Sequence, residues 1–108
     1  MNTQNSFEVL LDEDALILDF NEQACELTGY AKNEVIGENW FMTFIPESNI
    51  TKMIDIFVDT FYGIGSGNRY TSEIILKDGS KKMLNWHDII IKDENDKPLH
   101  VHSIGVYT

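Results

Sequence analysis

Two turns in the last third of the chain, Asp78-Gly79-Ser80 and Asp93-Glu94-Asn95-Asp96, constrain its fold more than any other feature. The segments around them, from Tyr70 to Val106, are rich in β-branched and aromatic residues, and the turns carry the Asp, Asn and Gly that tolerate turn dihedrals. The pattern predicts a three-stranded antiparallel meander. Pairing Lys77 with Lys81 sets Ile74 opposite Leu84, Ser72 opposite Trp86 and Tyr70 opposite Asp88. Pairing Lys92 with Lys97 sets Trp86 opposite Ser103 and His87 opposite His102.

Side chains alternate along a strand, so this register predicts two faces. The expected inner face carries Tyr70, Ser72, Ile74, Leu84, Trp86, Asp88, Ile90, Leu99, Val101, Ser103 and Gly105. The expected outer face carries Thr71, Glu73, Ile75, Asn85, His87, Ile89, Ile91, His100, His102, Ile104 and Val106. It is more polar but studded with isoleucine, as a surface that a partner covers would be.

In the first half, apolar runs at Phe7–Leu11 and Ala15–Phe20 flank Asp12-Glu13-Asp14 and predict a hairpin, for five strands in all. Asn21 is a good helix N-cap, with Glu22 in the first turn and Gly29 as the stop. Short helical turns follow at Lys32–Ile36, closed by Gly37, and at Trp40–Phe44, before Pro46. From Ser48 to Tyr62, Ile50, Met53, Ile54, Phe57, Val58, Phe61 and Tyr62 recur at helical spacing, which predicts the main helix across the inner face of the sheet.

A chain of 108 residues can bury one core, so residues 1–108 read as a single domain. Eighteen acidic against eight basic residues give a net charge of −10, which disfavours nucleic acid and anionic membrane as partners. Cys25 is the single cysteine, so no internal disulfide can form. No run reaches the roughly 18 apolar residues of a membrane helix, and Met1 to Glu13 lacks the features of a signal peptide. The expected location is cytoplasmic. Gly63 to Asn68 is the loop expected to be mobile.

The order of these elements, with Asn21-Glu-Gln-Ala24-Cys-Glu-Leu-Thr-Gly29-Tyr30, Glu34-Val-Ile-Gly37, Lys77-Asp-Gly79 and the run from Trp86 to Asp96, resembles the PAS sensory domain. The resemblance covers Phe7 to Thr108 and implies a cupped antiparallel sheet, a pocket between its inner face and the helices, and a regulatory role inside a longer signalling protein. Family members commonly feed histidine kinases, cyclic-dinucleotide enzymes or transcription regulators. Members often end in an Asp-Ile-Thr-like triplet; Val106-Tyr107-Thr108 keeps only the threonine, and the chain reads as an excised input module.

The resemblance also directs attention to cofactors. Light-sensing relatives carry a flavin-reactive cysteine in an Asn-Cys-Arg run, where this chain has Asn39-Trp40-Phe41, so flavin-adduct photochemistry is not expected. Cys25 reads as a small core residue rather than a reactive thiol. Haem-binding relatives supply an axial histidine from the long helix, and Ser48 to Tyr62 has none. No cofactor is expected; non-covalent flavin stacked among Trp40, Phe57, Phe61 and Trp86 stays open beside the plainer reading that these rings fill the core.

Tyr70, Ser72, Asp88 and Ser103 are the polar residues directed inward. A buried carboxylate needs a partner, so Asp88 is expected to bond Tyr70, rim water or a ligand, unless it is solvated at a strand end. His87 and His102, predicted as a facing pair with His100 and Glu73 nearby, form a candidate metal or protonation site, against the plainer reading of a half-exposed pair. No Gly-Xaa-Ser-Xaa-Gly elbow, phosphate loop or His-Glu-Xaa-Xaa-His helix occurs. The three glycines at 63, 65 and 67 lie between a helix and a strand, the wrong context for a dinucleotide loop.

The expectation is therefore an α+β, PAS-like, non-catalytic input module with a five-stranded antiparallel sheet and one long helix on its inner face. It would bind a small ligand through Trp40, Phe57, Phe61, Tyr70, Ser72, Trp86, Asp88 and Ser103, relay the state through a homodimer formed by the outer face, and control an output domain in the same chain. The alternative is a ligand-free structural dimerisation domain.

Overall fold

The computed structural model describes residues 5–63 and 69–107. The chain runs through β1 (Asn5–Leu11), β2 (Ile17–Phe20), α1 (Glu22–Thr28), α2 (Lys32–Val35), α3 (Trp40–Phe44), a 3₁₀ turn at Glu47–Asn49, α4 (Ile50–Phe61), β3 (Arg69–Ile75), β4 (Lys81–Lys92) and β5 (Pro98–Tyr107). The strands form one antiparallel, five-stranded sheet in the order β2-β1-β5-β4-β3, as the α+β expectation requires. The loop expected to be mobile from Gly63 to Asn68 lies outside the described residues beyond Gly63.

Local chemistry sets the element ends. Asn21 Oδ1 accepts from the Ala24 amide at 3.0 Å, capping α1, and also from the Glu8 amide at 3.0 Å, while Nδ2 donates to the Ser6 carbonyl at 2.9 Å. One side chain thus starts α1 and ties it to β1. Gly29 ends α1 at φ 85°, in the left-handed region that glycine enters without strain. The strand expected from Ala15 begins instead at Ile17, because Asp12 Oδ1 accepts from the Asp14 and Leu16 amides and Ala15 turns through φ 61°. The helix expected from Ser48 starts as the 3₁₀ turn and becomes α-helical at Ile50. Met53, Phe57 and Phe61, four residues apart, bury one stripe of α4, which packs on β4 and β5.

Both hairpin registers differ from expectation by two residues. Lys77 does not pair with Lys81: its amide donates to the Thr28 carbonyl at the end of α1, 2.8 Å away, and the hairpin closes one step earlier, with Leu76 donating to Ser80 at 2.7 Å. Tyr70 therefore faces Trp86, Ser72 faces Leu84 and Ile74 faces Lys82. At the second turn Asp93 pairs with Lys97, with Asp96 at φ 63°, and a bulge follows at Ile91/Lys92. The turn and the bulge each displace the register by one, so Trp86 faces Gly105, Asp88 faces Ser103 and His87 faces Ile104. Leu99, expected inside, is the extra residue of the bulge and is 45% exposed. A shift of two leaves alternation intact, so the other residues keep their predicted faces.

The core centres on Phe7, whose ring meets Phe20, Trp40 and Trp86 edge to face at centroid distances of 5.2, 5.8 and 5.4 Å. Cys25 packs at the margin of this core, and desolvation pushes its thiol pKa up, the direction of an unreactive side chain.

Candidate ligand site on the inner face of the sheet

Asp88 projects inward from the middle of the long strand β4 and is 2% exposed, which removes the solvated-strand-end reading. Its Oδ2 accepts the Tyr70 hydroxyl at 2.8 Å. The bond is diagonal, from the residue facing Trp86 to the next inward position along β4. Ser103 lies directly across from Asp88 on β5 and is also buried. Oδ1 is buried and makes no hydrogen bond. Desolvation pushes the Asp88 pKa above the ordinary carboxylate value, against the opposing pull of the Ser103 and Tyr70 hydroxyls and the charge of His87. The Ser103 hydroxyl biases the carboxyl without forming a bond of good geometry to Oδ1. Tyr70 is driven upward in turn, first by burial and then by the neighbouring Asp88, so its hydroxyl keeps its proton.

The aromatic residues expected at the site form two groups. Trp40 and Trp86 pack edge to face at 5.7 Å, and the Trp86 Nε1–H donates to the Ser72 carbonyl at 3.2 Å. Phe57 and Phe61 stack along α4 at 6.0 Å, and Phe41 meets Phe57 at 5.6 Å. The Ser72 hydroxyl makes a long bond to the Glu73 carbonyl, 3.4 Å. The polar centre is thus Tyr70, Asp88 and Ser103, and the tryptophans are part of the packed core beside it. A cleft of about 200 Å³ opens between the end of α4 and the β4–β5 hairpin, lined by Phe61, Tyr62, Ile90 and Pro98, with Lys92 and Asp96 at its rim. Ile90 is the inward residue following Asp88 along β4.

The facing His87–His102 pair does not form. The register puts Ile104 opposite His87 and Ile89 opposite His102. His102 Nε2 instead lies 2.9 Å from Glu8 Oε1, an ion pair when the imidazole is protonated. Among the described residues no group of three or more His, Cys, Asp or Glu side chains is placed to hold a metal ion. Glu8 and Phe7 escaped the sequence reading because their contacts depend on β1 lying beside β5, which no local pattern specifies.

On the outer face, Ile75, Ile91, Ile104 and Val106 are half-buried and Ile89 is exposed. A groove of about 470 Å³ runs there between Arg69, Thr71, Asn85, His87, Ile104 and Val106. No helix among the described residues is long and apolar enough to cross a membrane.

A five-stranded antiparallel sheet packed against short helices, with a buried acid on the covered face, is an α+β arrangement. The family model of the PAS fold matches residues 1–102, and the chain belongs to the PAS family. PAS domains are sensory, non-catalytic modules. No curated protein sequence matches the chain. Among solved structures, the PAS domain of the Cronobacter turicensis quorum-sensing receptor RpfR in complex with BDSF superposes with a TM-score of 0.79 at 23% identity, covering 97% of this chain and 95% of that one. A PAS domain from Colwellia psychrerythraea gives 0.75 at 20% identity, with 93% and 83% covered. A light-oxygen-voltage domain studied with a flavin analogue gives 0.77 at 20% identity, with 95% and 78% covered. At these identities the likeness is one of fold.

Proposed function

We propose that this domain is the input module of a signalling protein and binds a small molecule on the inner face of its sheet. Tyr70, Ser72, Asp88 and Ser103 supply the polar contacts; Phe57 and Phe61 supply the apolar wall, with Trp40 and Trp86 behind. The observation that carries the reading is Asp88: a carboxyl shut away from water with one oxygen unpaired is costly, and its retention is explained if a ligand completes it. The RpfR PAS domain in complex with BDSF supports occupancy of such a domain by a small molecule. Flavin fits less well, since Trp40 and Trp86 close on each other.

Occupancy would act by shifting a population: a ligand that favours one packing of the outer face changes the arrangement of a homodimer and hence of an output domain in the same chain, a histidine kinase, cyclic-dinucleotide enzyme or transcription regulator. A second reading, ligand-free dimerisation, draws support from the mutual packing of Phe7, Trp40 and Trp86 and from the apolar outer face. Native mass spectrometry of the protein purified without denaturation separates them. A mass above the polypeptide, released on unfolding, is the expected result; bare dimers that add no mass in a cell extract of small molecules would favour the scaffold.

A further inference from the structure

The hydrogen-bonding groups around Asp88 are unequally committed. The Tyr70 hydroxyl is given to Asp88 Oδ2, the Trp86 indole N–H to the Ser72 carbonyl, and the Ser72 hydroxyl to the Glu73 carbonyl. Three donors are therefore satisfied inside the protein, while Asp88 Oδ1 is a buried acceptor that makes no hydrogen bond, and the Ser103 hydroxyl directly across from it is the donor left uncommitted. Asp88 is also the one buried charged residue among those described, so no buried cation is there to receive an anion. Lys92 lines the cleft at Ile90, the inward residue that follows Asp88, and its ammonium is held by Asp96 at 3.5 Å.

We propose that this site selects ligands that present a hydrogen-bond donor, an alcohol, a primary amide or a protonated primary amine, on a small apolar body, and discriminates against carboxylates and phosphates. The inference rests on the reading of the inner face as a ligand site. A donor placed on Oδ1 relieves an unsatisfied buried acceptor, and a protonated amine also neutralises its charge. A carboxylate in the same place sets a second negative charge against the first in a poorly solvated region. The apolar body has a place to go: Ile90 lies about 7 Å further along the same face of β4 by strand geometry, at the wall of the cleft with Phe61 and Pro98.

The test uses three probes with one body, hexan-1-ol, hexylammonium and hexanoate, titrated into the ¹⁵N-labelled domain while the amides of Asp88, Ile90 and Ser103 are followed. Saturable shifts with the alcohol and the amine, and binding of hexanoate weaker by about tenfold or more, are expected from the size of an unmet buried hydrogen bond. In Asp88→Asn, whose amide offers a donor, the preference for hexylammonium over hexanoate should vanish. Hexanoate bound by the native domain as tightly as the other two, whether at Asp88 or on Lys92, overturns the donor rule and leaves a ligand site standing. Inner-face amides unmoved by all three probes overturn the site reading, and the inference with it.

Discussion

The Trp86 indole lies flat enough over Gly105, its direct partner across β4 and β5, that a Cβ on Gly105 would come within 2.8 Å of Cζ3 and 2.9 Å of Cε3. The same Cβ would stand 2.7 Å from Leu84 Cδ2. Glycine is needed here for space. Gly105→Ala should force the indole or the strand aside at a cost of about 1–3 kcal/mol. The check is the urea midpoint together with the near-ultraviolet circular dichroism of the tryptophans; a variant that leaves both unchanged would show room that the packing does not contain.

Trp86 is 4% exposed and holds Phe7 and Trp40 against the sheet. Trp86→Ala should lower stability by about 3–5 kcal/mol, and Trp86→Phe, which keeps an aromatic ring but loses part of the indole's volume and the N–H bond to the Ser72 carbonyl, by less. Chemical denaturation of the two variants provides the ranking.

Asn21 fastens α1 to β1 through three hydrogen bonds. Asn21→Ala should cost about 2 kcal/mol, since a cap is lost and two backbone groups of β1 lose a partner. Asn21→Ser should recover part of this, because the hydroxyl can still cap α1 but cannot also bridge to β1. Equal stability of the two variants would place the whole effect in the bridge to β1, and full recovery by serine would place it in the helix cap.

The pH dependence of stability follows from Asp88. Burial raises its pKa in the folded state above its unfolded value, so the folded chain binds the proton more tightly. Its burial therefore opposes folding above the folded pKa, and this penalty disappears as the pH falls through that pKa towards the unfolded value, about 4. Asp88→Asn should stabilise the ligand-free domain by about 1 kcal/mol near neutral pH, with the gain shrinking on acidification. Thermal melts of the two proteins across that range test it; a gain that grows as the pH falls would mean that Asp88 is better satisfied as a carboxylate than its surroundings indicate.

Much of the fold was legible because it depends on local chemistry. Asn21 and Gly29 bound α1, the Met53-Phe57-Phe61 stripe marks α4, and strand alternation assigns Ser72, Asp88 and Ser103 to the inside. Registers were not legible, since they depend on distant partners: the Lys77 amide is drawn to the Thr28 carbonyl, and the bulge that expels Leu99 has no composition of its own. The Tyr70–Asp88 bond survives the two-residue shift because tyrosine is long enough to reach diagonally. The His87–His102 pair does not, because facing imidazoles require the register itself, and His102 turns to Glu8 on a strand whose place in the sheet is a tertiary property.

The most direct test of the central claim is a small-molecule fragment screen on the ¹⁵N-labelled domain, read at the Trp86 indole N–H and the amides of Asp88, Ile90 and Ser103. The account predicts that binders move these inner-face signals together and saturably, with the response altered in Asp88→Asn. Responses confined to outer-face positions such as His87, Ile89 and Ile104, with the inner face silent throughout, would contradict it and leave a domain that works by its surface alone.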